Sequence, residues 1–203
     1  MSGCGCEFEI KNREQGRVLK QLLLINAVMF VVEIALGIYA ESTALIADSL
    51  DMLADAAVYS IGLYAVGRSV QAKNNAAKLS GIFQIVLGLI VVADVVRRYI
   101  SGSEPDSFLM IVVGCVALVA NTICLKLLSK HRDGEVHMRA SWIFSKNDVI
   151  ANIGIIMSGV IVYASGYSLP DLIIGLVIAL IVIRGGVEIL QDVKRESSCC
   201  SGK

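Results

Sequence analysis

The chain has 203 residues, 56% of them hydrophobic and only 18% charged, and its 18 basic residues are balanced by 18 acidic ones. A water-soluble domain of this length must cover its surface with polar side chains, so this composition excludes one, and a net charge of zero gives no sign of a nucleic-acid partner. What remains is one integral membrane domain.

In chain order, the stretch "MSGCGCEFEIKNREQ" at 1–15 lacks the basic-then-apolar order of a cleaved signal, so the first span is expected to stay as an anchor. Apolar segments then predict helices at roughly 19–40, 43–67, 78–99, 107–130, 140–165 and 169–190. Each is close to the ~20 residues that ~30 Å of hydrocarbon demands. The breaks between them carry turn chemistry in "SGSEPDS" (101–107), "HRDG" (131–134) and "SGYSLPD" (165–171). Period-2 alternation is absent, which argues against a transmembrane barrel, and the helix is the other structure that satisfies its own backbone in lipid. The predicted fold is therefore all-α, an integral membrane bundle of six transmembrane helices. Its layout is a cytoplasmic cysteine-containing segment at 1–18, the transmembrane domain at 19–190 and a short cysteine-containing tail at 191–203.

Basic residues set the orientation. Lys11, Arg13, Arg17 and Lys20 precede the first span; Arg68, Lys73 and Lys78 lie in the second connection; Lys126, Lys130, Arg132 and Arg139 lie around the fourth; Lys194, Arg195 and Lys203 follow the last. The odd connections carry acids (Glu41, Glu104, Asp106, Asp171), with Arg97 and Arg98 as the exception. The positive-inside rule then places both termini in the cytoplasm, a parity that six spans satisfy.

Cys4 and Cys6 near one end and Cys199 and Cys200 near the other fall on this reducing side, where structural disulfides are not expected. Such close thiols can capture a soft ion such as Zn²⁺, Cd²⁺ or Cu⁺, or they are incidental cysteines of solvated tails; both readings stand. Cys115 and Cys124 lie within a span.

The second segment contains "ADSLDMLADA" (47–56), with Asp48, Asp51 and Asp55 in an otherwise apolar run. A carboxylate in hydrocarbon costs about 2.5–3.5 kcal/mol on the mildest scale, so acids there mark an ion path by default. Asp51 and Asp55, four residues apart, share a helix face and can converge on one cation; Asp48 lies beside the same stripe and is as readily a capping or hydrogen-bonding residue. In the fifth segment, "SWIFSKNDVIANIGII", Asp148 and Asn152 repeat the i, i+4 spacing with oxygen ligands. Two helices, each presenting such a pair, can enclose a metal ion. Asn147 is turned by about 100° from Asp148 and reaches at most the edge of the site. Lys146 either snorkels to the cytoplasmic edge or balances charge in the empty site.

These residues resemble the cation diffusion facilitator family over nearly the whole chain. The resemblance lies in "VEIALGIYAESTALIADSLDMLADA", in "NDVIANIG" and in "LPDLIIGLVIALIVIRGG". It implies a carrier that exports divalent transition-metal ions, most often Zn²⁺, in exchange for protons, without prosthetic group or enzymatic activity. The family's second-span metal pattern falls on Asp51 and Asp55, and its fifth-span pattern of His, three residues, Asp falls on Phe144 and Asp148. Phenylalanine offers no ligand. Asn152 is the first candidate to replace it, with Asn147 or Ser145 next, and Asp48, Asn147 and Ser145 are a secondary metal or proton path. Asp51 stands where many zinc exporters have His, a choice that resembles iron- and manganese-linked members; an oxygen-only site favours harder ions, whereas the cysteine tails favour Zn²⁺ or Cd²⁺. A second departure is that the chain stops at "VKRESSCCSGK", so the resemblance is to a short member without the C-terminal cytoplasmic domain. A homodimer would then be held by membrane helices, and Gly81 and Gly88 either serve that contact or pack helices within one protomer.

Other polar residues have structural readings. Glu33 and Arg184 are expected to pair within the bundle; Asn26, Gln84 and Asn121 to bond between helices; Asp94 to pair with Arg97 and Arg98; His131 and His137 to be solvated. The alternative functions are a membrane thiol–disulfide oxidoreductase, which the absence of a Cys-x-x-Cys pair opposes, and a proton-coupled exporter of organic cations, which an aromatic content of 6% supports only weakly.

Overall fold

The computed structural model describes residues 13–65, 70–129 and 136–201. They form six helices, α1 (Arg13–Tyr39), α2 (Thr43–Ala65), α3 (Val70–Ser101), α4 (Ser107–Ser129), α5 (Val136–Ser165) and α6 (Leu169–Ser201), with no strand among the described residues. α2 and α4 end close to the positions expected from their apolar runs. α1, α3, α5 and α6 run further, by up to about three turns, because hydropathy marks only the stretch matched to hydrocarbon. The flanks "VQAKNNAAK" and "ILQDVKRESS" are rich in residues that favour helix and continue the same hydrogen-bond ladder into water.

Five helices are long and apolar enough to cross a membrane: Gly16–Tyr39, Ala77–Ser101, Ser107–Ser129, Ser145–Ser165 and Leu169–Lys194. α2 is the exception, since its aspartates interrupt the apolar run. The packing explains how it tolerates them. α1 lies along α2, α3 along α6 and α4 along α5, and α2 touches all five of the other helices. It is the interior helix of the bundle, and its small residues Ala44, Ala47 and Ala54 are buried and let its neighbours approach.

The surface is inverted relative to a soluble protein. Val86, Leu89, Ile90, Val112, Val116 and Val119 point outward, while Asn26, Glu33, Asp48, Gln84, Asn121 and Asn152 are buried. Apolar groups outside and polar groups within is the arrangement lipid selects.

The α3 and α6 seam is backbone against backbone. A Cβ on Gly81 would lie 2.9 Å from the Gly186 carbonyl oxygen, and one on Gly88 would lie 3.0 Å from that of Ala179. Both glycines are therefore consumed inside the chain, which removes them as the dimer contact considered from sequence.

The turn between α1 and α2 is pinned from three sides. Glu41 sits at a positive φ of 51° and its carbonyl accepts from the Arg98 guanidinium of α3. The Ala40 carbonyl accepts from the Asp106 N–H ahead of α4 at 2.8 Å. From α6, the Asp171 carboxylate accepts from the Ser42 hydroxyl at 2.6 Å, the Thr43 N–H at 2.7 Å and the Ala44 N–H at 3.1 Å. This is an N-cap supplied by another helix: Asp171 satisfies the donors that the first turn of α2 leaves open. Arg98 also pairs with Asp94 at 2.7 Å and Arg97 with Asp94 at 2.6 Å, the local ion pairs expected from their spacing.

Candidate metal site

Inward from that cap, α2 carries its acids at the centre of the bundle. The helices place Asp51 of α2 against Asp148 of α5, carboxyl facing carboxyl closely enough that a shared proton would bond them. Asp55, one turn further along α2, lies within electrostatic range of both, and its Oδ2 accepts from the Tyr59 hydroxyl at 3.0 Å. Two facing carboxyl groups are both acceptors, so the arrangement holds together only with a proton or a cation between them. Asp51, Asp55 and Asp148, predicted from two separate segments, are thus brought together. Among the described residues no three His, Cys, Asp or Glu side chains are closed into a cage as they stand.

Asn152 is fully buried one turn beyond Asp148. Its Nδ2 donates to the Asp148 carbonyl at 2.8 Å, which leaves Oδ1 buried without a partner. A buried acceptor in that state costs on the order of 1–3 kcal/mol, and a ligand would relieve it. Ser145 is also buried with an unpartnered Oγ, while Asn147 is half-buried, as are Asp51, Asp55 and Asp148. The Phe144 side chain lies outside the described residues. So do Cys4, Cys6, His131 and the side chains of His137, Cys199 and Cys200.

Asp48 finds a partner on another helix, and the expectations for Glu33 and Lys146 are narrowed or changed. Asp48 faces Glu33 of α1, and both are almost completely buried. Glu33 does not pair with Arg184. The Arg184 side chain is 84% exposed and reaches Glu188 on its own helix at 3.6 Å, because the face of α6 that meets α3 is made of Gly185 and Gly186 and has no room for a guanidinium. Lys146 sits with its ammonium 6.0 Å from the Trp142 ring centroid and is exposed, so it does not balance the acids.

Two residues near the site were not singled out from sequence. Tyr59 extends the Asp51 and Asp55 stripe by another four residues, a spacing visible in the sequence. Cys124 of α4 is buried, with its Sγ 3.9 Å from the Asn26 Nδ2, and lies in electrostatic range of Asp55 and Asp148. Nothing in the local sequence of α4 signals that proximity.

The model of the cation efflux transmembrane domain matches residues 19–196. The chain belongs to the cation efflux family. Similar proteins include a zinc transporter ZitB of Yersinia pseudotuberculosis, 24% identical over 189 residues that make up 85% of this chain and 61% of the relative. A "cadmium, cobalt and zinc/H(+)-K(+) antiporter" of Bacillus subtilis is 20% identical over 191 residues, again 85% and 61% of the two chains. The metal cation efflux system protein CzcD of Cupriavidus metallidurans is 24% identical over 179 residues, 82% of this chain and 57% of its own. The chain thus spans about three fifths of the length of the curated relatives it matches. As a cation efflux protein with five long apolar helices and bacterial relatives, it is a multi-pass integral membrane protein of the inner (plasma) membrane type.

Proposed function

We propose that this chain exports divalent transition-metal ions by metal/proton antiport, with Zn²⁺ first and Cd²⁺, Mn²⁺ or Fe²⁺ next. The observation that carries the reading is the meeting of Asp51 and Asp148 from two helices, with Asp55 beside them, inside a bundle whose outer surface is apolar. Carboxylates buried in that setting need a cation or protons, and a carrier alternates between the two.

In this reading α2 is the sixth span, sheltered by its neighbours, and both termini are cytoplasmic. A partly dehydrated M²⁺ arriving from the cytoplasm is bound by Asp51, Asp55 and Asp148. The unpartnered Oδ1 of Asn152 serves as the fourth donor where the family pattern has a His and this chain has Phe144. The Tyr59 hydroxyl holds Asp55 in place from outside the ligand set, as partners of metal ligands commonly do. Rocking of the helices then opens the site outward, protons compete for the same oxygens, and the metal leaves. The cysteines at the two ends serve to capture metal in the cytoplasm, and any homodimer is held by membrane helices.

The test is flux. Purified protein in sealed vesicles is offered Zn²⁺, Cd²⁺, Mn²⁺ and Fe²⁺ separately under an imposed pH gradient, beside Asp55→Ala. Metal movement in the wild type that falls to background in the variant is the expected result. Flux that survives Asp55→Ala overturns the ligand assignment, and no flux of any ion in the wild type overturns the exporter reading.

A further inference from the structure

Glu33 is fully buried two turns from the end of α1, a helix whose outward face is apolar, and neither of its carboxyl oxygens has a hydrogen-bond partner. Directly across from it Asp48 of α2 is 1% exposed, and its Oδ2 is also unpartnered. The two carboxyls lie close enough to be bridged by a single hydrogen. No lysine, arginine or histidine among the described residues forms an ion pair with either. Of the titratable groups on the helices packed around them, Asp51 on α2 and Asp148 on α5 are in electrostatic range, and both are acids that add to the repulsion.

With no cation nearby, two ionised carboxylates cannot share a site this dry, where each alone is already expensive to bury. One proton resolves the conflict: it turns an acceptor into a donor, leaves a single negative charge on the pair and supplies the missing hydrogen bond. The pair sits one helical turn from Asp51, and it joins α1 to α2, the two helices that lie along each other.

We infer that Glu33 and Asp48 form a proton-binding site separate from the metal ligands, and that the proton held between them is one of those exchanged for metal. This second half rests on the exporter reading. The charge arriving as M²⁺ at Asp51, Asp55 and Asp148 repels the shared proton, which leaves the pair as H⁺ and changes its charge from −1 to −2. Departure of the metal lets the pair take a proton again. Metal and proton are then coupled through the field between two sites as well as through competition at one.

Two measurements separate the halves. Infrared difference spectroscopy of the detergent-solubilised wild type, with and without Zn²⁺ or Cd²⁺, reads the carbonyl stretch of a protonated buried carboxyl. Metal displaces protons from Asp51, Asp55 and Asp148 as well, so the expected result is a set of bands lost on adding metal, one of which is missing in both Glu33→Gln and Asp48→Asn while the rest remain. In vesicles, Glu33→Gln is expected to bind and move metal while releasing one proton fewer per ion than the wild type. A metal-dependent spectrum that keeps every wild-type band in both variants, or an unchanged proton-to-metal ratio in Glu33→Gln, overturns the inference. Should Glu33→Gln fail to fold, Asp48→Asn carries the same test from the other side of the pair. A wild type that moves no metal overturns the exporter reading and with it the coupling, while the infrared band still decides whether the pair holds a proton.

Discussion

Two regions along the same interior helix set carboxylates in opposite circumstances. At the start of α2, Asp171 accepts three hydrogen bonds, from Ser42 Oγ and from the N–H groups of Thr43 and Ala44. One to two turns further along α2, the Asp51 and Asp148 carboxyls face each other as acceptors, and Glu33 and Asp48 have three unpartnered oxygens between them. Asp171, Glu33 and Asp48 are almost completely buried and Asp51, Asp55 and Asp148 half-buried, so what sets the two places apart is the supply of donors. A buried carboxylate with donors on every side is a cap that ties α6 to α2, and adding an ion would cost it those bonds. One surrounded by other acceptors is incomplete until a proton or a metal ion arrives. The donor census therefore separates structural acids from ion-binding ones more sharply than burial does.

The largest effect expected from this contrast is at the centre. Asp148→Ala should reduce metal flux to background while the protein still extracts from the membrane as a folded species, because the one contact of its carboxyl is with another acid of the site, Asp51. Tyr59→Phe should come next. It leaves the stripe of acids intact but frees Asp55 from its one hydroxyl donor, and metal affinity measured by titration calorimetry should fall by about 10-fold, the lower end for loss of a group that orients a ligand.

At the cap the expected loss is of stability. Asp171→Ala exposes the first turn of α2 to unpaired N–H groups and should cost about 1–2 kcal/mol, read as a lower thermal unfolding midpoint in detergent, with metal affinity retained. The reverse outcome, metal binding abolished at unchanged stability, would erase the distinction between the two regions of α2. The smallest effect should be at Arg184. Its exposed contact with Glu188 contributes about 0–1 kcal/mol, so Arg184→Gln should leave unfolding and flux near the wild type. A large loss there would mean that Arg184 meets the buried acids in another state of the carrier.

Much of this could be read along the chain. The helices followed from apolar runs, and the α2 stripe followed from the spacing of Asp51 and Asp55, since a helix turns by the same angle wherever it stands. The Asp94 pairs with Arg97 and Arg98 were legible for the same reason. The partner of Glu33 was not. Charge alone favoured Arg184, the basic residue in the middle of another span, yet α6 turns its glycine face to α3 and Arg184 away from the core. Cys124 escaped notice because its neighbours belong to other helices.

Sequence by itself determined that this is a helical membrane protein of the cation efflux family, with acids at metal-ligand spacing on two of its segments, because periodicity and motif are properties of a local stretch of chain. Only the tertiary structure decided that α2 is the helix enclosed by all the others, that Asp148 meets Asp51, and that Glu33 meets Asp48. Which face of a helix turns inward is settled by the fit of small and large residues along every seam at once, and no single segment contains that information.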